Sequence, residues 1–142
     1  MRRKTGIFII IAHFALAACA FGQASPPLPP ELISEFQYNV DRIYDSIEPG
    51  CPGPLSAEQT ARYAPVRGKM AELEQAVKGT PLGEPFDQAR ARPDPRTLNC
   101  AIKEMSAAEI DEAITRDLSA IAVAIRRIEE IAKPHILAKG GS

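Results

Sequence analysis

Three arginines lie close together in one proline-containing segment of the chain. Arg90, Arg92 and Arg96 surround a single acidic residue, Asp94. Guanidinium groups donate paired hydrogen bonds that match the oxygens of carboxylates and phosphates. The spacing therefore predicts a site that binds an anion or a partner. The alternative interpretation is a surface loop that the arginines keep soluble.

Carboxylates recur along the first predicted helix. Asp41, Asp45 and Glu48 follow one another at i, i+4 and i+7, which places them on its outer side. Several carboxylate oxygens suit a hard divalent cation, but calcium sites usually come from loops with backbone carbonyl ligands. We therefore interpret these residues as a solvated acidic face and predict no metal site.

Residue types that support catalysis are scarce. The sequence contains two histidines, His13 and His135, and it has no C-x-x-C, no glycine-rich phosphate loop and no H-E-x-x-H motif. His135 follows Pro134 at a predicted helix end, where a cation favours the helix dipole. We therefore predict no catalytic residue, no cofactor and no enzymatic activity.

The composition argues against nucleic-acid binding. The net charge is -1, too small for a protein held by phosphate contacts. Aromatic residues make up only 6% of the chain and Trp is absent, which leaves little for stacking on bases or sugars. Tyr38, Tyr44 and Tyr63 are predicted to be half-buried packing groups rather than ligand contacts.

The N-terminus has the pattern of a secretory leader. Residues 1–5 include three basic side chains, Arg2, Arg3 and Lys4, and residues 6–21 follow without a charge. A cationic segment before an apolar run is typical of an export signal. The run is shorter than the ~20 residues that cross a bilayer as a helix, so an uncleaved anchor is the weaker interpretation.

Leu16-Ala17-Ala18-Cys19, at the end of this run, resembles the lipobox of bacterial lipoproteins. The resemblance implies that Cys19 becomes the lipidated first residue of the mature chain, anchored to a membrane of the cell envelope and facing the periplasm. It covers the leader only and implies nothing about the fold. The alternative is cleavage after Ala20 or Ala24, which would give a soluble periplasmic or secreted protein.

Either outcome leaves Cys51 and Cys100 as the remaining thiols. Export places them in an oxidising compartment, where such a pair normally forms a disulfide. A zinc site needs about four ligands, and two distant cysteines with one mature histidine are a poor set. We therefore expect one disulfide, which stabilises the fold by on the order of 4 kcal/mol in the chain-entropy model.

Clusters of proline divide the rest of the chain into helical segments, and no alternation is long enough for a sheet. The first helix is predicted from Glu31 to Glu48, with Pro49-Gly50 ending it. Its apolar residues recur at spacings of three and four: Ile33, Phe36, Val40, Ile43 and Ile47.

The second helix is predicted to run from Ser56 to Lys78. Ser56 and Gln59 form a capping box, and Gly79 provides the stop. Pro65 is predicted to kink or divide this helix.

The third helix is predicted to start at a second capping box, Ser106 and Glu109, and to end at Pro134. Its apolar stripe is rich in isoleucine: Ile110, Ile114, Leu118, Ile121, Ile125, Ile128 and Ile131.

The expected disulfide fixes the topology. It places the end of the first helix beside the start of the third, so the second and third helices run parallel to each other and antiparallel to the first. The connection from Gly79 to Arg96 then returns along the bundle. We predict an all-α fold, a small three-helix bundle with a long crossing loop and a short extra helix near Leu98–Met105.

We divide the chain into a signal peptide (1–18), a proline-rich tether (19–30), a helical bundle (31–134) and a flexible tail (135–142). The predicted function is a lipid-anchored, non-enzymatic binding or scaffolding module of the envelope. Its expected partners are the membrane and an envelope protein or anionic envelope component, and the isoleucine stripe also suits a second copy. The alternative is a soluble periplasmic protein that binds a small ligand or cation.

Overall fold

The computed structural model describes residues 27–48, 55–91 and 105–141. Within these ranges 82% of the residues are helical and there are no strands, which confirms the all-α prediction. The helices are α1 (Pro30–Ile47), α2 (Ala57–Ala61), α3 (Ala64–Val77), α4 (Gly83–Arg90) and α5 (Ala107–Gly140).

Helix α1 forms much as its sequence predicts. Pro30 occupies its first turn, where a missing N–H costs nothing because that group has no partner inside the helix. The amide of Glu48 donates to the carbonyl of Tyr44 and closes the last turn. Four residues of the predicted stripe are buried, whereas Ile33 is only partly so: Phe36, Val40, Ile43 and Ile47.

The second predicted helix is divided, as Pro65 indicated. Helix α2 starts at the predicted capping box, in which the Ser56 hydroxyl accepts from the Gln59 amide at 3.1 Å. The chain then breaks at Arg62 and Tyr63, and α3 begins with Pro65 in its first turn. Helix α3 ends at Val77, close to the predicted stop at Gly79, which has φ of +76°.

The loop expected between Gly79 and Arg96 instead contains helix α4, which corrects the prediction of a long crossing loop. Proline is tolerated at Pro85 because it lies in the first helical turn. Thr80 organises the tight turn from α3, since its hydroxyl donates to the Val77 carbonyl and accepts from the Leu82 amide. Phe86 is completely buried, so α4 contributes to the core.

Helix α5 starts at the predicted capping box but continues past Pro134 to Gly140, so the predicted end was wrong. Proline removes one hydrogen bond of the helix interior. Tertiary contacts hold the segment beyond it, because Ile136 packs partly buried against the core. The Lys139 ammonium group also donates to the carbonyl of Lys78 at the end of α3.

Contacts between the helices give their directions. Ser46 pairs with Asp117 and Glu35 with Arg127, so α1 and α5 are antiparallel. The contacts of the segment from Arg62 into α3 advance along the segment and along α5 in the same direction, so α3 and α5 are parallel: Arg62–Asp111, Tyr63–Asp117 and Lys69–Glu129.

Helix α4 completes the arrangement. It contacts α1 and α3, while α5 contacts the same two helices from the other side. We call the end where α1 begins, α3 turns into α4 and α5 finishes the proximal end; the distal end contains α2 and the start of α5. The largest side chains that are almost fully buried between these helices number nine: Phe36, Val40, Ile43, Met70, Val77, Leu82, Phe86, Ile121 and Ile128.

Candidate binding surfaces

Arg90 lies in the last turn of α4 and makes two contacts within the bundle. One guanidinium nitrogen lies 2.9 Å from each carboxylate oxygen of Glu74 on α3. The guanidinium carbon also lies 5.6 Å from the centre of the Tyr44 ring on α1. Burial raises the pKa of Tyr44, and the charge of Arg90 opposes that shift. Arg90 therefore joins three helices, although its side chain remains 46% exposed.

The other two arginines of the predicted site, Arg92 and Arg96, lie outside the described residues. The same holds for Cys19, Cys51 and Cys100, so the lipidation and the disulfide stay predictions.

The predicted acidic face of α1 needs correction at Asp41, which is buried with 5% exposure. Helix α1 contacts both α4 and α5, so its buried face is wider than a single stripe and includes this residue. Asp45 is partly buried, and only Glu48 is fully on the surface. Among the described residues, no group of three or more histidine, cysteine or acidic side chains could hold a metal ion.

Two of the three tyrosines are packing groups. Tyr44 and Tyr63 are buried, whereas Tyr38 is 55% exposed. The Tyr63 hydroxyl donates to Asp117 at 2.8 Å. Burial, and then the bond to this carboxylate, raise the pKa of Tyr63. Its hydroxyl therefore stays protonated and links α3 to α5.

The prediction that His135 lies at a helix end was wrong, because α5 continues beyond this residue to Gly140. The residue is partly buried within the segment that follows Pro134.

A polar hollow of about 320 Å³ lies beside the turn from α3 to α4. Its charged residues are three carboxylates and one lysine: Glu74, Lys78, Glu84 and Asp87. Glu74 already accepts from Arg90. Nothing else in the described residues indicates that a ligand occupies this hollow.

A larger groove of about 490 Å³ lies between α3 and α5. We call it the α3–α5 groove. Its apolar residues are Leu73, Ala76, Ile136 and Leu137, and its charged residues are Lys69, Glu72, Glu129 and Lys133.

The charged residues of the α3–α5 groove neutralise one another. The Lys69 ammonium group lies 2.8 Å from Glu129 and 3.7 Å from Glu72. The hydrogen bond to Glu129 raises the pKa of Lys69, so this lysine stays charged and paired. Each helix therefore contributes one lysine and one glutamate to the groove, beside apolar residues. Such a surface is better suited to bind an apolar group than an anion.

Sequence reasoning missed the α3–α5 groove because it comes from two separated helices. Ile136 and Leu137 follow Pro134, where the third helix was predicted to end. The sequence did contain a signal for a longer helix. Ile131, Pro134 and Leu137 follow one another in steps of three, a spacing typical of one continuous helix.

Comparisons with known proteins give no relative for this chain: no family model, no curated protein and no solved structure matches it. Within ranges 27–48, 55–91 and 105–141, none of the helices combines the length and the apolar character that crossing a bilayer requires.

Proposed function

We propose that the protein is a lipid-anchored helical module of the bacterial cell envelope that binds or scaffolds a partner without catalysing a reaction. The observation that carries this proposal is the Leu16-Ala17-Ala18-Cys19 sequence at the end of the apolar leader. A proline-rich spacer then separates Cys19 from the start of α1 at Pro30. Proline limits the flexibility of such a spacer, and the length of the spacer sets how far the folded domain can lie from its anchor.

The partner side of the proposal rests on the arginine segment. Arg90 is held by Glu74 and Tyr44, so it fixes the point at which the chain leaves α4. In this proposal Arg92 and Arg96 supply the contact with an anionic envelope component or an acidic patch on an envelope protein. The proposal also includes a disulfide between Cys51 and Cys100, which would stabilise the exported domain.

Membrane fractionation tests the anchor. The wild-type chain should sediment with membranes and yield an acylated Cys19 peptide by mass spectrometry. Cys19→Ser should move the protein to the soluble fraction, because no lipid can then be attached. Ser25→Ala is the matched control within the tether and should remain with the membrane. A wild-type chain that is soluble, with an unmodified peptide, would remove the lipoprotein part of the proposal.

An affinity pull-down from envelope extracts tests the arginines. The double variant Arg92→Ala/Arg96→Ala should lose a partner that the wild type retains. Arg116→Ala removes an exposed arginine that pairs only with Glu112 among the contacts described, at 3.7 Å, and serves as the matched control. An identical set of captured proteins for all three chains would reduce the segment to a connecting loop.

A further inference from the structure

Leu137 is the most exposed large apolar side chain of the described residues, at 66%. It lies in the last turn of α5, at the proximal end of the bundle. Neighbouring Ile136 packs against the core, and Lys139 holds the end of α3, so the turn that carries Leu137 is fixed in place. A single exposed leucine is ordinary on a protein surface. Its position relative to the tether gives this one further meaning.

The tether enters the bundle at the same end. Residues 27–29 lead into α1 at Pro30, and Leu28 packs against the core. Between Cys19 and Pro29 a fully extended chain spans at most about 35 Å. Helix α5 alone is about 50 Å long. A lipid on Cys19 therefore keeps the proximal end near the bilayer, while the distal end can extend far beyond the tether's reach.

We propose that the proximal end of the bundle rests on the phospholipid surface, with Leu137 inserted among the headgroups. This inference depends on the proposed lipid anchor, because the tether supplies the high local concentration that makes a small contact effective. Ala76 and Ile136 line the α3–α5 groove beside Leu137, and because both are partly exposed they extend the same apolar surface.

Apolar contact rather than charge gives this surface its preference. Three lysines and three carboxylates lie at the proximal end: Lys78, Lys133 and Lys139, with Glu31, Glu84 and Asp87. The charges therefore nearly balance, and binding should not require anionic lipid. Contact at the proximal end also leaves the distal end, with α2 and the start of α5, directed away from the membrane and accessible to a partner.

The absence of tryptophan from the chain allows a direct test. An oligohistidine tag replaces the leader and Cys19, and the protein is attached to phosphatidylcholine vesicles that contain a nickel-chelating lipid. Leu137→Trp then places one fluorophore at the proposed contact. Val123→Trp is the matched control, since Val123 is also an exposed apolar residue of α5, at 57%. Val123 lies about 21 Å from Leu137 along the axis of α5, toward the distal end.

The proposal expects blue-shifted emission of Trp at position 137 on tethering, and severalfold stronger quenching by brominated phosphatidylcholine than at position 123. Equal quenching at the two positions would overturn it. So would a blue shift that depends on protein concentration without vesicles, because a second copy would then cover Leu137. The nickel-chelating lipid replaces the acyl chain in this test, so its result does not depend on acylation of Cys19. A failure of the proposed acylation would be seen separately, as an unmodified Cys19 peptide in mass spectrometry.

Discussion

The two sides of the bundle are held together in different ways. Where α1 meets α4, three aromatic side chains form one cluster, with Phe86 6.3 Å from Phe36 and 6.1 Å from Tyr44 between ring centres. Where the segment from α2 to the middle of α3 meets α5, polar pairs lie along the edge of the interface. We call these pairs the polar edge: Arg62–Asp111, Tyr63–Asp117 and Lys69–Glu129.

The difference separates stability from alignment. Apolar contacts are proportional to buried area and have little direction, so the aromatic cluster stabilises the fold without specifying how far one helix slides along its neighbour. The pairs of the polar edge match only at one alignment of α3 with α5. Each exposed ion pair contributes little free energy, so these pairs favour one register of the two parallel helices only when they act together with the bond of buried Tyr63 to Asp117.

The largest effect should come from removing the centre of the aromatic cluster. Phe86→Ala deletes a fully buried ring of α4, and we expect a loss of about 3–5 kcal/mol in the free energy of unfolding. Denaturant unfolding followed by circular dichroism measures it. Tyr38→Ala is the control, since this ring is 55% exposed on α1. Equal losses for the two variants would show that α4 is not part of the core.

A smaller loss is expected at the buried member of the polar edge. Tyr63→Phe keeps the ring and removes the hydroxyl that donates to Asp117, which should cost about 1–2 kcal/mol. Ser46→Ala removes the other donor to the same carboxylate, at 3.2 Å, and should cost less because that bond is longer and Ser46 is less buried than Tyr63. A Tyr63→Phe variant as stable as the wild type would mean that the polar edge only accompanies packing.

Local signals in the sequence were sufficient for much of this fold. Both capping boxes form as predicted, because Ser56 and Ser106 need only a partner three residues later. Pro65 divides its helix for an equally local reason, the missing amide. The parallel arrangement of α3 and α5 was also predicted, although from a disulfide between residues that lie outside the described ranges.

The errors occurred where distant contacts decide the outcome. Pro85 and Pro134 were interpreted as helix breaks. The chain is nevertheless helical after each proline, because Phe86 and Ile136 pack against the core there. Asp41 was assigned to the outer side of its helix from spacing alone, whereas contacts of α1 with both α4 and α5 leave this residue buried. The α3–α5 groove was missed for the same reason, since neither of its helices shows it alone.

Two glycines of the α3 region provide a pair of opposite, smaller effects. Gly79→Ala puts a side chain on a residue with φ of +76°, which should cost about 1–2 kcal/mol. Gly68→Ala lies inside α3 with nothing within 4 Å of the added carbon, and should stabilise by about 0.5–1 kcal/mol. Thermal unfolding of both variants measures the pair. Shifts of the same sign would contradict the turn that joins α3 to α4.

The smallest effect is a dependence on acid that arises at exposed carboxylates. Arg127 lowers the pKa of Glu35, and hydrogen bonds from Ser106 lower the pKa of Glu109. Both carboxylates bind a proton more readily in the unfolded chain, where their pKa is near 4.5. Their contribution to stability is therefore present above about pH 4.5 and is lost as the pH falls through the lower pKa of the folded state. The thermal midpoint should therefore decline below about pH 4.5.

Substitution separates these two carboxylates from the rest of the acidic residues. Glu35→Gln/Glu109→Gln removes both titrating groups and should flatten the decline, while Gln at 109 can still accept from Ser106. The single variants divide the effect between the α1–α5 ion pair and the cap of α5. A decline as steep in the double variant as in the wild type would assign the acid sensitivity to other carboxylates, and the ion pair of Glu35 with Arg127 would then contribute nothing measurable to stability.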